Sequence, residues 1–156
     1  MQMFARSYDE VSMRWPYPLE ECLRTIGHLA DELGVISPVI EEGDEDLVLR
    51  EGSADAEVTS YVRISVERLE ELVAEARARR GTGPPTFQTD HEQRLRVIGH
   101  QLEQRQAQTV RLEMKAGAIA ASYFRLGQEP ASEAFSDRYL RLLIEEGIRR
   151  RSAVGE

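Results

Sequence analysis

Two histidines close the same six-residue phrase. Leu23-Arg24-Thr25-Ile26-Gly27-His28 returns 72 residues later as Leu95-Arg96-Val97-Ile98-Gly99-His100. Imidazoles at matched positions of a repeated unit could meet across a symmetry axis, where a pair can bind a metal or pass a proton. Helical phase argues for a different role. At ~100° per residue, His28 falls about 140° from Leu23 at the centre of the apolar stripe, and His100 stands in the same relation to Leu95. Both should flank or leave the core, as surface or interface histidines. His91 has no partner at motif spacing, and no metal centre is expected.

Arginine clusters are the second candidate. Arg77, Arg79 and Arg80 close one predicted helix, and Arg149, Arg150 and Arg151 close its counterpart. Such groups could bind a phosphate, a nucleic acid or a protein partner. They also complement a helix dipole by ~0.3–1 kcal/mol, which is the structural reading of the same residues. Glu41-Glu42-Gly43-Asp44-Glu45-Asp46 lacks the twelve-residue ligand pattern of a calcium loop and reads as a solvated hairpin turn. Arg80-Gly81-Thr82-Gly83 runs into two prolines, which removes the backbone donors a phosphate loop offers. Cys22 sits beside Glu20 and Glu21, which should raise its pKa and make it a poor nucleophile. With no nucleophile elbow, zinc-protease motif or kinase set, the chain is not expected to be an enzyme and calls for no cofactor.

The elements that position these residues follow from the repeat. Ser65, Leu69, Leu72, Val73, Glu75, Arg79 and Arg80 answer to Ser136, Leu140, Leu143, Ile144, Glu146, Arg150 and Arg151 at an offset of 71. Leu19, Leu23, Ile26, Ala30 and Leu33 give a helix over 19–33 that Gly34 should cap. Short strands are expected over 35–40, 47–50 and 58–64, the first weakened by Pro38. A helix capped by Ser65 then runs to about Arg80. The second unit predicts a helix over 90–106, strands over 109–114 and 118–126, a very short third strand at Phe135, and a helix from Asp137 to about Arg151. Residues 1–16 form an N-terminal extension, 17–81 the first unit, 82–88 a Gly/Pro linker and 89–152 the second unit. Neither unit has the area to hold a core alone. The expected fold is therefore α+β: a tandem duplication forming an internal pseudo-twofold dimer, with antiparallel sheet or sheets covered by four helices. Whether the strands join edge to edge is left open.

Gly27 and Gly99 stand inside predicted helices, where glycine costs about 1 kcal/mol relative to alanine. Close approach of another element explains both, and a ligand between the repeats is the other reading. Trp15, in Arg14-Trp15-Pro16-Tyr17-Pro18, could anchor a partner interface or cover the chain's own core.

The 156 residues carry a formal charge of −8, unevenly distributed: −9 between Tyr17 and Gly81, +2 between Phe87 and Arg151. The single cysteine excludes an internal disulfide framework and favours a reducing compartment, so a cytoplasmic location is expected. No apolar run approaches the ~20 residues that span a bilayer, and the first residues hold no signal-peptide core. The α-β-β-β-α order also occurs in double-stranded-RNA-binding domains, but those use a basic surface, and the first unit here is acidic. The sequence reads as a non-enzymatic interaction or accessory protein whose partner is another protein or a second copy. The alternative is a nucleic-acid-associated factor acting through the second unit's arginines.

Overall fold

The computed structural model describes residues 15–43, 45–53, 61–81, 90–115, 117–125 and 127–153, and within it the side chains of 80, 81, 90 and 148–153 are not described. The linker and most of the N-terminal extension lie outside these residues.

Helix α1 (Leu19–Leu33) buries Leu19, Cys22, Leu23, Ile26 and Ala30 along one stripe. It ends where the sequence places its cap, with Gly34 in the left-handed region at φ 73°. The N–H of Val35 then closes onto the Ala30 carbonyl at 3.0 Å, satisfying an orphan carbonyl of the last turn. Strands β1 (Pro38–Glu42), β2 (Asp46–Glu51) and β3 (Tyr61–Ser65) follow, then α2 (Val66–Gly81). The second half runs α3 (Asp90–Gln104), β4 (Gln108–Lys115), β5 (Ala118–Phe124), β6 (Ala131–Ser136) and α4 (Asp137–Ala153). Ser65 and Ser136 act as the expected caps, accepting hydrogen bonds from the N–H of Arg68 and of Tyr139, each at 3.1 Å.

Several boundaries differ from the sequence reading: α3 stops at Gln104 rather than 106 and β5 at Phe124 rather than 126, residues 58–60 of the expected third strand lie outside the described residues, and two differences have a clear cause. β1 starts at Pro38, a position that tolerates the missing N–H. Residues 35–37 form a loop in which the N–H groups of Ile36 and Ser37 donate to the buried Glu51 carboxylate, both at 2.8 Å. β6 spans six residues because every one of them pairs with β5, from Ala131 opposite Tyr123 to Ser136 opposite Ala118. Cross-strand pairing overrides the weak strand propensity of its alanines and serines.

The strands make one antiparallel sheet in the order β3-β2-β1-β4-β5-β6. β1 and β4 join the halves, with Ile40 opposite Leu112. The strand residues of the core (Ile40, Leu47, Leu49, Ile64, Leu112, Ile119, Ala121, Tyr123 and Phe135) cluster with Leu23, Ile26, Leu69, Ile98, Leu102 and Leu140 of the four helices. α1 packs against α3, α2 against α1 and β3, and α4 against α3 and β6. On the opposite face, Glu41 of β1 takes Arg50 of β2 at 3.2 Å and Arg111 of β4 at 3.3 Å, pinning register across the junction. Among the described residues no helix is long and apolar enough to cross a membrane.

Candidate functional site

The α1–α3 seam gathers most of the residues the sequence singles out. A methyl group on Gly27 would stand 2.5 Å from the His91 carbonyl oxygen, and one on Gly99 would stand 2.7 Å from the Leu19 carbonyl oxygen and the Glu20 Cα. Each glycine lets its helix touch the first turn of the other, backbone on backbone. The packing explanation therefore accounts for both.

Polar groups cross the seam at these points. Arg24 Nε donates to Glu92 Oε2 at 2.8 Å, and His28 Nδ1 lies 3.1 Å from Glu92 Oε1. From the other helix, Arg96 Nη1 donates to Glu20 Oε2 at 2.9 Å and His100 Nδ1 lies 3.1 Å from Glu20 Oε1. The helices also cap each other. Asp31 accepts from the Glu92 N–H at 3.2 Å, and Glu103 accepts from the Glu20 N–H at 2.6 Å. Pro18, at the N-cap of α1, offers no side-chain hydrogen bond. The carboxylate from α3 takes that role, and such a cap contributes about 1 kcal/mol. His28 and His100 lie at the seam's margin, as their helical phase requires. Each is held by the carboxylate at the start of the opposite helix, and the two are not brought together as a pair.

Two clefts flank this framework. One of about 430 Å³ opens between α3 and α4, lined by Glu20, Arg96, His100, Gln104, Leu143 and Glu146 among others. The second, of about 420 Å³, lies where β1, β4, β5 and the residues before β6 meet, and includes Glu42, Thr109, Arg111 and Phe124. There β4 bulges between Gln108 and Arg111, with Thr109 at φ 52°. Trp15 is half-buried against the core, its Nε1 donating to Glu42 Oε1 at 3.0 Å. The same oxygen accepts from the Val110 N–H at 2.9 Å.

Of the arginine clusters, Arg77 binds Glu21, with one contact at 2.6 Å, and lies 4.2 Å over the Tyr17 ring. Arg79 is exposed. The side chains of Arg80, Arg149, Arg150 and Arg151 lie outside the described residues. The acidic run forms the expected turn, closed by Gly43 N–H on the Asp46 carbonyl at 2.7 Å. Cys22 is buried and its thiol is pushed up to about 12, chiefly by burial and further by Glu21 and Glu103. The direction matches the sequence expectation, but the leading cause is the apolar setting.

One polar cluster escaped sequence reasoning. Glu133 of β6 accepts from Tyr123 OH of β5 and from Arg105 Nη2 at 3.0 Å. Burial and Glu133 push the Tyr123 phenol up. Burial opposes ionisation of Glu133, but the bonds from Tyr123 and Arg105 outweigh it and hold the carboxyl below its ordinary range. A phenol kept protonated beside a carboxylate kept ionised is an anchor for the outer strand. The available signal was the two-residue alternation that puts Glu133 on the face of Phe135. Two further carboxylates are held below their ordinary range: Glu113 by the hydrogen bond from Arg111, and Glu51, where burial opposes ionisation and backbone N–H groups of Ile36, Ser37, Ser53 and Gly52 prevail.

No family model, curated protein or solved structure matches this chain.

Proposed function

We propose that this is a non-enzymatic interaction or accessory protein, built as a tandem duplication whose two units form an internal pseudo-twofold dimer. The duplication is supported by the reciprocity of the seam. Arg24–Glu92, His28–Glu92 and Asp31–Glu92 become Arg96–Glu20, His100–Glu20 and Glu103–Glu20 when 72 is added to one partner and subtracted from the other. The strand order, with β1 and β4 at the centre, supports the same reading.

The observation that carries the interaction reading is the exposure of large apolar side chains at three places, one of them Tyr61 on β3, 59% exposed. Leu33 and Ile36 stand at the end of α1, Ile36 57% exposed, and Tyr139 and Leu142 stand on α4, Leu142 56% exposed. Meanwhile the titratable groups of the seam are engaged in joining α1 to α3. Capture of partners from the native host, with and without nuclease, tests the proposal. A nuclease-resistant partner lost with Leu142→Asp or with Ile36→Asp supports it. Loss of all partners on nuclease treatment, reproduced by Arg149, Arg150 and Arg151→Gln, overturns it in favour of nucleic-acid association, whose phosphate contacts weaken steeply with salt.

A further inference from the structure

The two edges of the sheet are built differently. β3 carries Arg63 at its centre, paired with Asp46 at 3.3 Å and reaching the Tyr61 hydroxyl at 3.3 Å. A long charged side chain is a common guard of a strand edge. β6, sequence ASEAFS, has no lysine, arginine or proline, and its one charge, Glu133, is turned to the core face and held by Arg105 and Tyr123. Its opposite face shows only Ser132, Ala134 and Ser136, all exposed. An edge of small residues, whose single inward charge is already neutralised within the chain by Arg105, offers little to repel another strand and favours pairing.

We propose that β6 pairs antiparallel with β6 of a second copy, making one continuous sheet through both molecules. This rests on the interaction reading and names its partner. In antiparallel pairing across a twofold, opposed residues share a face. Centring the register on Glu133 would oppose two like charges. Centring it on Ala134 sets Ala134 against Ala134, Ser132 against Ser136, and Glu133 against Phe135, with no like-charge contact.

α4 matches this register. It starts directly after Ser136, and Tyr139 lies over Phe135 with ring centroids 6.3 Å apart. Two strand steps back from Ser136 cover ~6.6 Å at ~3.3 Å each, and five helical steps from Asp137 cover ~7.5 Å at ~1.5 Å each. Counted this way, exposed Leu142 comes level with Ala134. Arg138 and Arg141 precede it and Glu145 follows it, all exposed. A twofold at Leu142 sets Arg138 and Arg141 of each α4 toward Glu145 of the other, so this stretch of the helix is complementary to itself.

The test is the oligomeric state of the full chain, read by sedimentation at tens of micromolar, with variants at exposed positions. The wild type should be a dimer. Ala134→Lys should weaken it at least ~10-fold while leaving the melting temperature of the monomer unchanged. Mixing Ala134→Lys with Ala134→Glu chains should restore dimers. For register, Ala134→Cys should cross-link to itself under oxidation, whereas Ser132→Cys should cross-link only when mixed with Ser136→Cys. A monomeric wild type, a dimer indifferent to Ala134→Lys, or self-cross-linking of Ser132→Cys overturns the proposal. A monomer that still captures a nuclease-resistant partner leaves the interaction reading standing, so the two failures are distinguishable.

Discussion

The Glu92 carboxylate, with Arg24 and His28 on it, is 10% exposed, whereas Glu20, with Arg96 and His100 on it, is 35% exposed. The contacts correspond pair by pair and differ in what covers them. Over the first half, α2 buries Leu69, Val73 and Ala76, while α4 buries Leu140 and leaves Ile144 and Gly147 half-exposed. The cleft between α3 and α4 opens where Gly147 stands. A conserved geometry therefore does not imply equal energy. An ion pair in low dielectric loses far more when one partner is removed than the same pair in contact with water.

The largest effect should test what the two sides share. Gly27→Ala and Gly99→Ala each drive a methyl group into the backbone of the other helix, and each should cost about 2–4 kcal/mol in urea unfolding. Unequal losses would show that one crossing relaxes more readily. The next test exposes the difference. Arg24 and Arg96 are similarly buried, so the difference lies in the carboxylates: Glu92→Gln removes a charge from a site closed to water and should cost about 3 kcal/mol, whereas Glu20→Gln removes one that water can reach and should cost about 1–2 kcal/mol. Equal costs would show that α4 closes over its cleft in solution.

A third test contrasts two carboxylates held ionised by different means, Glu51 by backbone amides and Glu133 by a guanidinium and a phenol. Both have folded-state values below the ordinary range. Their stabilisation is thus present above the unfolded value of ~4.3 and is lost as pH falls through the folded value. Melting curves from pH 7 to pH 3 should fall less steeply below pH 5 for Glu51→Gln than for wild type. At neutral pH that variant should be about 1–2 kcal/mol less stable. The smallest effect concerns the helix ends. Past the last turn of α1 stands Gly34 at φ 73°, and past that of α3 stands Gln106 at φ 55°, followed by the same kind of backbone closure, Ala107 N–H to the Leu102 carbonyl at 3.0 Å. Gln106→Gly should stabilise the protein by about 0.5–1 kcal/mol, and Gly34→Gln should cost a similar amount.

Local chemistry was legible in the sequence and long-range chemistry was not. The span of α1, its Gly34 cap, the serine caps of α2 and α4 and the hairpin at Gly43 follow from residues within a few positions of one another. The glycines announced a close approach because their cost within a helix needs a reason. What met them could not be read, because Glu20, Glu92, Asp31 and Glu103 are ordinary helix carboxylates until the helices are set together. Glu133 was hidden in the same way, since its donors come from other elements, and so was the part of the Glu51 site that Ile36 and Ser37 supply. The union of β1 with β4 depends on which edges meet, and strand periodicity does not encode that.

The mutual capping of α1 and α3 bears on how the chain acquires its structure. Each helix receives a carboxylate from the other at its first turn, and α1 has no side-chain cap of its own, so neither half should hold a native fold while the other is absent. Cleavage between Gly81 and Asp90 should release two fragments that are largely unstructured apart and regain the native spectrum when mixed. Connecting them in one polypeptide would then supply chiefly effective concentration: the linker decides how fast and at what dilution the halves find each other, and the crossed carboxylates decide that they must.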